Sequence, residues 1–337
     1  MANILIHDVT LRDGSHAVAH QLSLKQIAEY AKAAELSGIP VIEVGHGNGL
    51  GASSLLVGES LVSDFDMLST AKENLKNTKL GIHIIPGFGA INKDLKPAFD
   101  AGVDVVRVAS HCTEADITER HIKFSRENGK EVYGVLMMSH MASDEELVCQ
   151  CLKMESYGAE GVILMDSAGA SLPSDILSRI SALVSSLKIP VGFHAHNNLG
   201  MGIANAVTAV SAGATILDGS ARGFGAGAGN AQLEVLVAVI EKLGYSTGIN
   251  LYKILELAEL AEKRLLKVIP SINSTSIVSG LSGVFSGFAK HVDRVAKEYN
   301  VDPRDIFFEL GKRKVVAGQE DLIVEIAAIL QVKNNKS

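Results

Sequence analysis

Cysteine is scarce in this chain of 337 residues. Cys112, Cys149 and Cys151 are too few and too oddly numbered for a disulfide framework. Cys149-Gln-Cys151 also lacks the second pair that a zinc site needs. The three thiols read as reduced cysteines of a cytoplasmic protein. Long apolar runs are missing as well: none reaches the ~18 residues of a membrane span. The start, MANILIHDVTLRDG, has no basic stretch followed by an apolar one, so it reads as a first strand and not as a signal peptide. Positive charge is in deficit, with 31 Lys and Arg against 38 Asp and Glu, a net charge of −7 spread along the chain. A nucleic-acid partner or an anionic membrane would call for a basic stripe, so both are excluded as expected partners. Apolar residues, by contrast, make up 47% of the chain, enough for a large core. The length suits one barrel plus an appendage.

Short β-branched runs recur, separated by segments of helical period. Strands are expected at Asn3–His7, Pro40–Val44, Leu80–Ile85, Asp104–Val108, Val132–Met137, Gly161–Met165, Val191–Ala195 and Thr215–Asp218. Runs such as VIEV, DVVRVA and GVILM are apolar almost throughout, the pattern of parallel strands covered on both faces. Helices are expected at Ser23–Ser37, opened by a serine cap, and at Ser143–Tyr157, where Ser143 and Glu146 have the spacing of a capping box. Eight such units suit a closed (β/α)8 TIM barrel. An open doubly wound sheet is the alternative, but it needs a cofactor fingerprint after the first strand, and none is present. Beyond about Asn250 only helices follow, at Leu251–Val268, Ala289–Tyr299, Pro303–Leu310 and Gln319–Leu330. The chain is therefore expected to divide into a catalytic barrel, residues 1–248, and a C-terminal helical domain, residues 249–337. The tail VKNNKS is expected to fray.

Barrel enzymes do their chemistry at the C-terminal ends of the strands, and there the unusual polar residues collect. Asp8, Arg12, Asp13 and His16 follow strand 1; Glu43 and His46 lie at strand 2; His111, Ser139 and His140 follow strands 4 and 5; Asp166-Ser167 ends strand 6. Strand 7 ends in His194-Ala195-His196-Asn197, and strand 8 is followed by Arg222 and a glycine-rich loop. His194 and His196, two apart on a strand, point to one side and suit a borderline divalent cation. Asp13 would complete the set, because strands 1 and 7 are separated by a single strand in a closed barrel. Isolated, such a pair is equally one core histidine and one solvated histidine. Arg12, Asp13 and His16 supply a guanidinium, a carboxylate and an imidazole in five residues, and an ordinary polar turn is the plain alternative. Gly223-Phe-Gly-Ala-Gly-Ala-Gly-Asn230 follows the last strand, which disfavours a dinucleotide loop and favours a tight turn with amides near a substrate oxygen. Ser167 lacks the G-x-S-x-G surround of a nucleophile and reads as a hydrogen-bonding residue. Cys112 reads as core.

LRDG after strand 1, HxHNN after strand 7 and GAGAGN after strand 8 resemble the metal-dependent lyases related to 3-hydroxy-3-methylglutaryl-CoA lyase and isopropylmalate synthase. RDGSHAVAHQ, GHGNGLGASS, SHCTEAD, LMMSHM, HNNLGMGIANA, GAGAGNAQLEV and GQEDLIVEIA are similar to the 4-hydroxy-2-oxovalerate aldolase family within it, over nearly the whole chain. The resemblance implies a divalent cation, Mn2+ (or Mg2+ or Co2+), held by Asp13, His194 and His196. It implies that His16 removes the proton of the C4 hydroxyl and that Arg12 stabilises the pyruvate enolate left when C3–C4 breaks. It implies that Ser167 holds the pyruvyl carboxylate. Members pair with an acylating aldehyde dehydrogenase that takes the aldehyde, so the helical domain is expected to carry partner or self-association surface, and an oligomer is expected. A condensing enzyme like isopropylmalate synthase is the alternative within the superfamily, and an idle scaffold the alternative outside it. Two positions depart from the family. Phe285 stands in GVFSGF where a tyrosine is usual, and His83 opens HIIPG where an apolar residue is usual. Both are expected to bind substrate at the aldehyde end, so the aldehyde is expected to differ from acetaldehyde towards a more polar one.

Overall fold

The computed structural model describes residues 3–316 and 318–334. Eight strands, β1 (Leu5–Leu11), β2 (Val41–Val44), β3 (Lys79–Ile84), β4 (Val105–His111), β5 (Glu131–Met137), β6 (Gly161–Asp166), β7 (Val191–Ala195) and β8 (Ile216–Gly219), form a closed barrel. Each strand runs parallel to the next, and β8 closes on β1. They alternate with α1 (Leu24–Ser37), α2 (Asp64–Glu73), α3 (Lys96–Asp100), α4 (Glu119–Glu127), α5 (Asp144–Ser156), α6 (Pro173–Ser186), α7 (Gly202–Ser211) and α8 (Leu233–Lys242). This is the TIM barrel that the apolar runs predict. Ser23 and Gln26 form a reciprocal capping box at α1, and the Ser143 hydroxyl accepts the Glu146 amide at α5.

β1 departs most from expectation, running four residues past His7. Polar Asp8 and Thr10 do not end it, because they satisfy one another. The Thr10 amide and hydroxyl both donate to Asp8, and Tyr30 of α1 donates to the other Asp8 oxygen at 2.6 Å. Side chains alternate between two cores. The outer one packs strands on helices, through residues such as Ile6, Ile82, Val106 and Leu164 against Ile27, Leu68 and Ile180. The inner one fills the lumen with Val41, Val105, Tyr133, Val135, Ile163, Met165 and Ile216.

Five helices follow: α9 (Leu251–Arg264), α10 (Ser274–Ser282), α11 (Ala289–Tyr299), α12 (Pro303–Lys312) and α13 (Asp321–Asn334). The sequence-based division places α9 with the tail, but Ile254, Leu257, Ala258, Ala261 and Leu265 sit in the outer core of the barrel, and α9 packs on α1 and α8. Helices α11–α13 and the segment leading into α11 gather around a core of their own, built on Val284, Phe288, Val292, Ile306, Phe307 and Ile323. α10, whose sequence STSIVSGLS carries no charged residue, is opened by Asn273 and closed by Gly283 in the left-handed region. Of the tail expected to fray, Val332–Asn334 belong to α13 and residues 335–337 lie outside those described. Among the described residues no helix is long and apolar enough to cross a membrane.

Candidate active site

The barrel's C-terminal rim brings Asp13, His194 and His196 together. All three are buried, and one ligand atom from each lies within 4.8 Å of the others. The geometry follows from the register. His194 is aligned with Asp218 of β8, which is aligned with His7 of β1, so β1 and β7 flank β8 and the residues past their ends converge. Asp218 binds Nδ1 of His194 at 2.8 Å, which leaves Nε2 facing the site. Asn230 donates to Asp13 Oδ2 at 2.7 Å, and Nε2 of His196 lies 3.9 Å from the same oxygen. Nε2 of His194 and Nδ1 of His196 are buried and have no hydrogen-bond partner. Burial holds the imidazole of His196 down to about 3, against the pull of Asp13. Burial alone would raise the Asp13 carboxyl, but Arg12 and the nearby imidazoles hold it well below the usual carboxylate range. Neutral imidazoles and an ionised carboxylate are the forms that bind a divalent ion.

Beneath this triad runs a buried chain of charges. Arg12 donates to Asp13 at 2.9 Å and to Glu43 at 3.2 Å; Arg107 donates to Glu43 at 2.7 Å and also to Asp218. Three buried carboxylates, Asp13, Glu43 and Asp218, thus face two guanidiniums, Arg12 and Arg107. The surplus negative charge and the two orphaned ring nitrogens fit a divalent cation, which would meet both. The sequence points to Arg12, Asp13 and the histidines but passes over Arg107, Asp218 and Asn230. The signal was there: a charge inside an otherwise apolar strand, as in DVVRVA and ILDG, has to be paired.

His16 lies on a short 3-10 turn, Asp13–Val18, that follows β1. Its ring is half-buried, with Phe285 edge-on at 6.4 Å and His20 edge-on at 5.1 Å. Burial, with Arg12 and Lys290 adding to it, holds His16 down to about 4, so the imidazole is neutral at pH 7, as a base must be. His20 stacks on His46 at 3.6 Å, and burial brings it to about 2. Gly47 backs the site, since a Cβ there would lie 2.5 Å from the His16 ring.

Two cavities open beside these groups. One of about 360 Å³ runs from His16 and His20 between the rim and the tail, past Asn48, Pro270 and Lys290. The other, of about 290 Å³, is lined by Ser167, His111, Met137 and Ile85. Phe285 lines both. The Ser167 hydroxyl accepts the Met138 amide at 2.9 Å, and its carbonyl accepts the Ser286 amide at 3.2 Å. His83, expected at the aldehyde end, lines neither cavity. It projects into the lumen with Nδ1 3.5 Å from Glu43, makes no hydrogen bond at that nitrogen, and is held well below an ordinary histidine by burial and by Arg12 and Arg107. Cys112 is core and donates to the Met138 carbonyl at 3.3 Å. Arg222 turns away to Glu234 and Glu262. The glycine-rich loop closes over the triad: a Cβ at Gly225 would lie 2.7 Å from Asp13 Oδ2.

Residues 3–261 match the HMGL-like family, and residues 270–332 match the DmpG-like communication domain. A protein of Pectobacterium atrosepticum named 4-hydroxy-2-oxovalerate aldolase is 63% identical over 334 residues, 99% of this chain and 97% of the relative. One of the same name from Spirochaeta aurantia is 61% identical, over 99% of this chain and 98% of the relative. In fold, the chain is similar to the carboxyl transferase domain of Rhizobium etli pyruvate carboxylase, with a TM-score of 0.82 at 15% identity, over 99% of this chain and 61% of that one. It is also similar to the N-terminal domain of a putative aldolase from Bacteroides vulgatus, with a TM-score of 0.73 at 24% identity, over 88% of this chain and 97% of that one. The chain belongs to the HMGL-like family, and within it to the group of the 4-hydroxy-2-oxovalerate aldolases.

Proposed function

We propose that the chain is a divalent-metal-dependent aldolase that cleaves a 4-hydroxy-2-oxo acid, of the 4-hydroxy-2-oxopentanoate kind, to pyruvate and an aldehyde. The observation that carries this reading is the buried Asp13–His194–His196 triad with its two orphaned ring nitrogens, set on a TIM-barrel rim beside a neutral histidine. A divalent cation held there, Mn2+ in the first instance and Mg2+ or Co2+ otherwise, supplies Lewis-acid polarisation of the 2-oxo group. His16 takes the proton of the C4 hydroxyl. The C3–C4 bond breaks, its electron pair goes to the three-carbon fragment as pyruvate enolate, and C4 leaves as the aldehyde carbon. Arg12, held by Glu43 and Asp13, supplies its guanidinium to stabilise the enolate oxygen. The Ser167 hydroxyl, oriented by the Met138 amide, binds the pyruvyl carboxylate. Protonation of the enolate at C3 then gives pyruvate.

The test measures metal content and turnover side by side. Wild type should bind about one divalent ion per chain and stop on chelation; Asp13→Ala and His194→Ala should lose the ion. His16→Ala should keep it and lose about 10²–10⁴-fold in turnover, the usual share of a general base. Full activity in chelator would overturn the metal reading.

The communication-domain segment, 270–332, supports an acylating aldehyde dehydrogenase as the partner that takes the aldehyde, with self-association through the same helices. The three free cysteines support a reducing, cytoplasmic setting. A second reading, favoured by His83, concerns the aldehyde. Its unpaired Nδ1 lies 3.5 Å from Glu43, and Phe285 brings no hydroxyl to the cavities. That nitrogen lies in the lumen, outside both cavities, so only a polar aldehyde that reaches past Arg12 would pair it, a contact worth on the order of 1–3 kcal/mol. Pyruvate condensation with a panel of aldehydes should show a preference over acetaldehyde that His83→Leu reverses; identical profiles for the two proteins would remove His83 from the substrate site.

A further inference from the structure

The turn that carries His16 is short and awkward. After Val18 the backbone passes through Ala19 and His20 in the left-handed region, φ 53° and 62°, with no glycine to ease it. From within the barrel it is tied by the Ser15 hydroxyl to the Gly45 carbonyl at 3.1 Å and by the His20 amide to the Ser15 carbonyl at 2.8 Å. One further tie comes from outside. Lys290, in the first turn of α11, donates from Nζ to the His16 carbonyl at 2.7 Å and to the Ala17 carbonyl at 3.1 Å. Among the described residues these are the two hydrogen bonds between the tail and the Asp13–Val18 turn. A cation on the last carbonyls of a short helical turn makes charge-assisted bonds and sits at the favourable end of the turn's dipole. The other end of α11 is rooted elsewhere: Val292, Val295 and Ala296 are buried in the tail's own core. The His16 ring is confined by Gly47 behind it and by His20 and Phe285 at its edges. Its backbone anchor is thus the place where the position of α11 can be passed to the base.

We propose that Lys290 is a positioning residue for His16, a strap that lets helix α11 of the communication domain set where the base stands. This rests on the reading of His16 as the base. A general base works only within hydrogen-bond reach of its proton, and a misplacement of ~1 Å can cost about 10²-fold. In this role Lys290 acts through the backbone of the His16 turn, so its loss should fall on kcat.

The experiment compares Lys290→Met, which keeps the stem, Lys290→Arg, which can reach both carbonyls, His16→Ala and the double variant, all as full-length protein with Mn2+. Lys290→Met is expected to lower kcat by about 10–100-fold with KM within about threefold. Bound metal and Tm should stay near wild type, and Lys290→Arg should restore most of the rate. His16→Ala and the double variant should turn over equally slowly, because a strap has nothing to add once the base is gone. Lys290→Gln replaces Lys290→Met if the latter is insoluble. Wild-type kcat in Lys290→Met, or a double variant clearly slower than His16→Ala, would overturn the strap while leaving the base in place. Wild-type turnover in His16→Ala would instead overturn the base reading, and the strap with it.

Discussion

At the scale of single residues, the site is organised by groups that touch no substrate. Asp218 holds Nδ1 of His194 and a guanidinium nitrogen of Arg107 on one oxygen, and so fixes which ring nitrogen His194 offers. In Asp218→Asn the amide cannot accept from both partners and bring the charge that Arg107 needs. Breaking one member of a buried pair costs about 3–5 kcal/mol, and loss of an outer partner to a ligating histidine costs about 10–100-fold in metal affinity. Urea melts and a metal titration should show both losses; unchanged metal affinity would mean that Asp218 does not orient His194. This layer was the least legible part of the site. Asp13, His16, His194 and His196 stand in recognisable spacings at strand ends. Arg107 and Asp218 are single charges in apolar strands, and their partners lie on β2, β7 and β8, far apart in sequence. Only barrel closure brings them together.

At the scale of elements, the glycine-rich loop shows how a backbone is shaped by what it must approach. Gly229, at φ +86°, needs the left-handed region, and a Cβ there would strike the Gly223 carbonyl. Gly225 has a different constraint: a Cβ there would lie 2.7 Å from the Asp13 carboxylate and 2.6 Å from the Asn230 amide. Gly225→Ala should therefore push on Asp13 directly. The expected result is about a tenfold or greater loss of metal affinity with a stability cost of about 1–3 kcal/mol, the range of an overpacked core. Calorimetric titration with Mn2+ checks it, and wild-type affinity would place the loop farther from the ligand set. The elements themselves were mostly readable. Strands buried on both faces leave near-continuous apolar runs, and β7 begins and ends where VGFHA does. α10 was not readable, since STSIVSGLS has low helix propensity and no charged face. What makes it a helix is the reciprocal Asn273–Ser276 cap and burial of Ser276, Ser279 and Gly280 against the barrel loops.

At the scale of the whole molecule, the tail is fastened to the rim through its segment 279–290. Asn198 of the HNN motif donates to Ser286 at 2.8 Å, His140 bonds the Gly283 carbonyl at 2.8 Å, and Ser286 donates its amide to Ser167. These bonds put Phe285 between the two cavities and Lys290 over the turn that carries His16, so the tail completes the site as well as extending it. The packing then separates two truncations. A chain ending at Gly248 loses Ile254, Leu257 and Leu265 from the barrel's own core. At about 1.5–3 kcal/mol for each buried side chain, the loss is about 5–9 kcal/mol, comparable to the whole net stability of about 5–15 kcal/mol of a typical domain. That chain should be insoluble. A chain ending at Ile269 keeps α9 and gives up a tail whose core is separate. It should fold and bind one divalent ion, yet turn over at least about tenfold more slowly, because Phe285 and Lys290 no longer bound the site and water enters it. Solubility, metal content and turnover of the two proteins decide the matter. Full activity without residues 270–337 would reduce the tail to a docking surface, and an insoluble chain at Ile269 would show that barrel and tail fold as one unit.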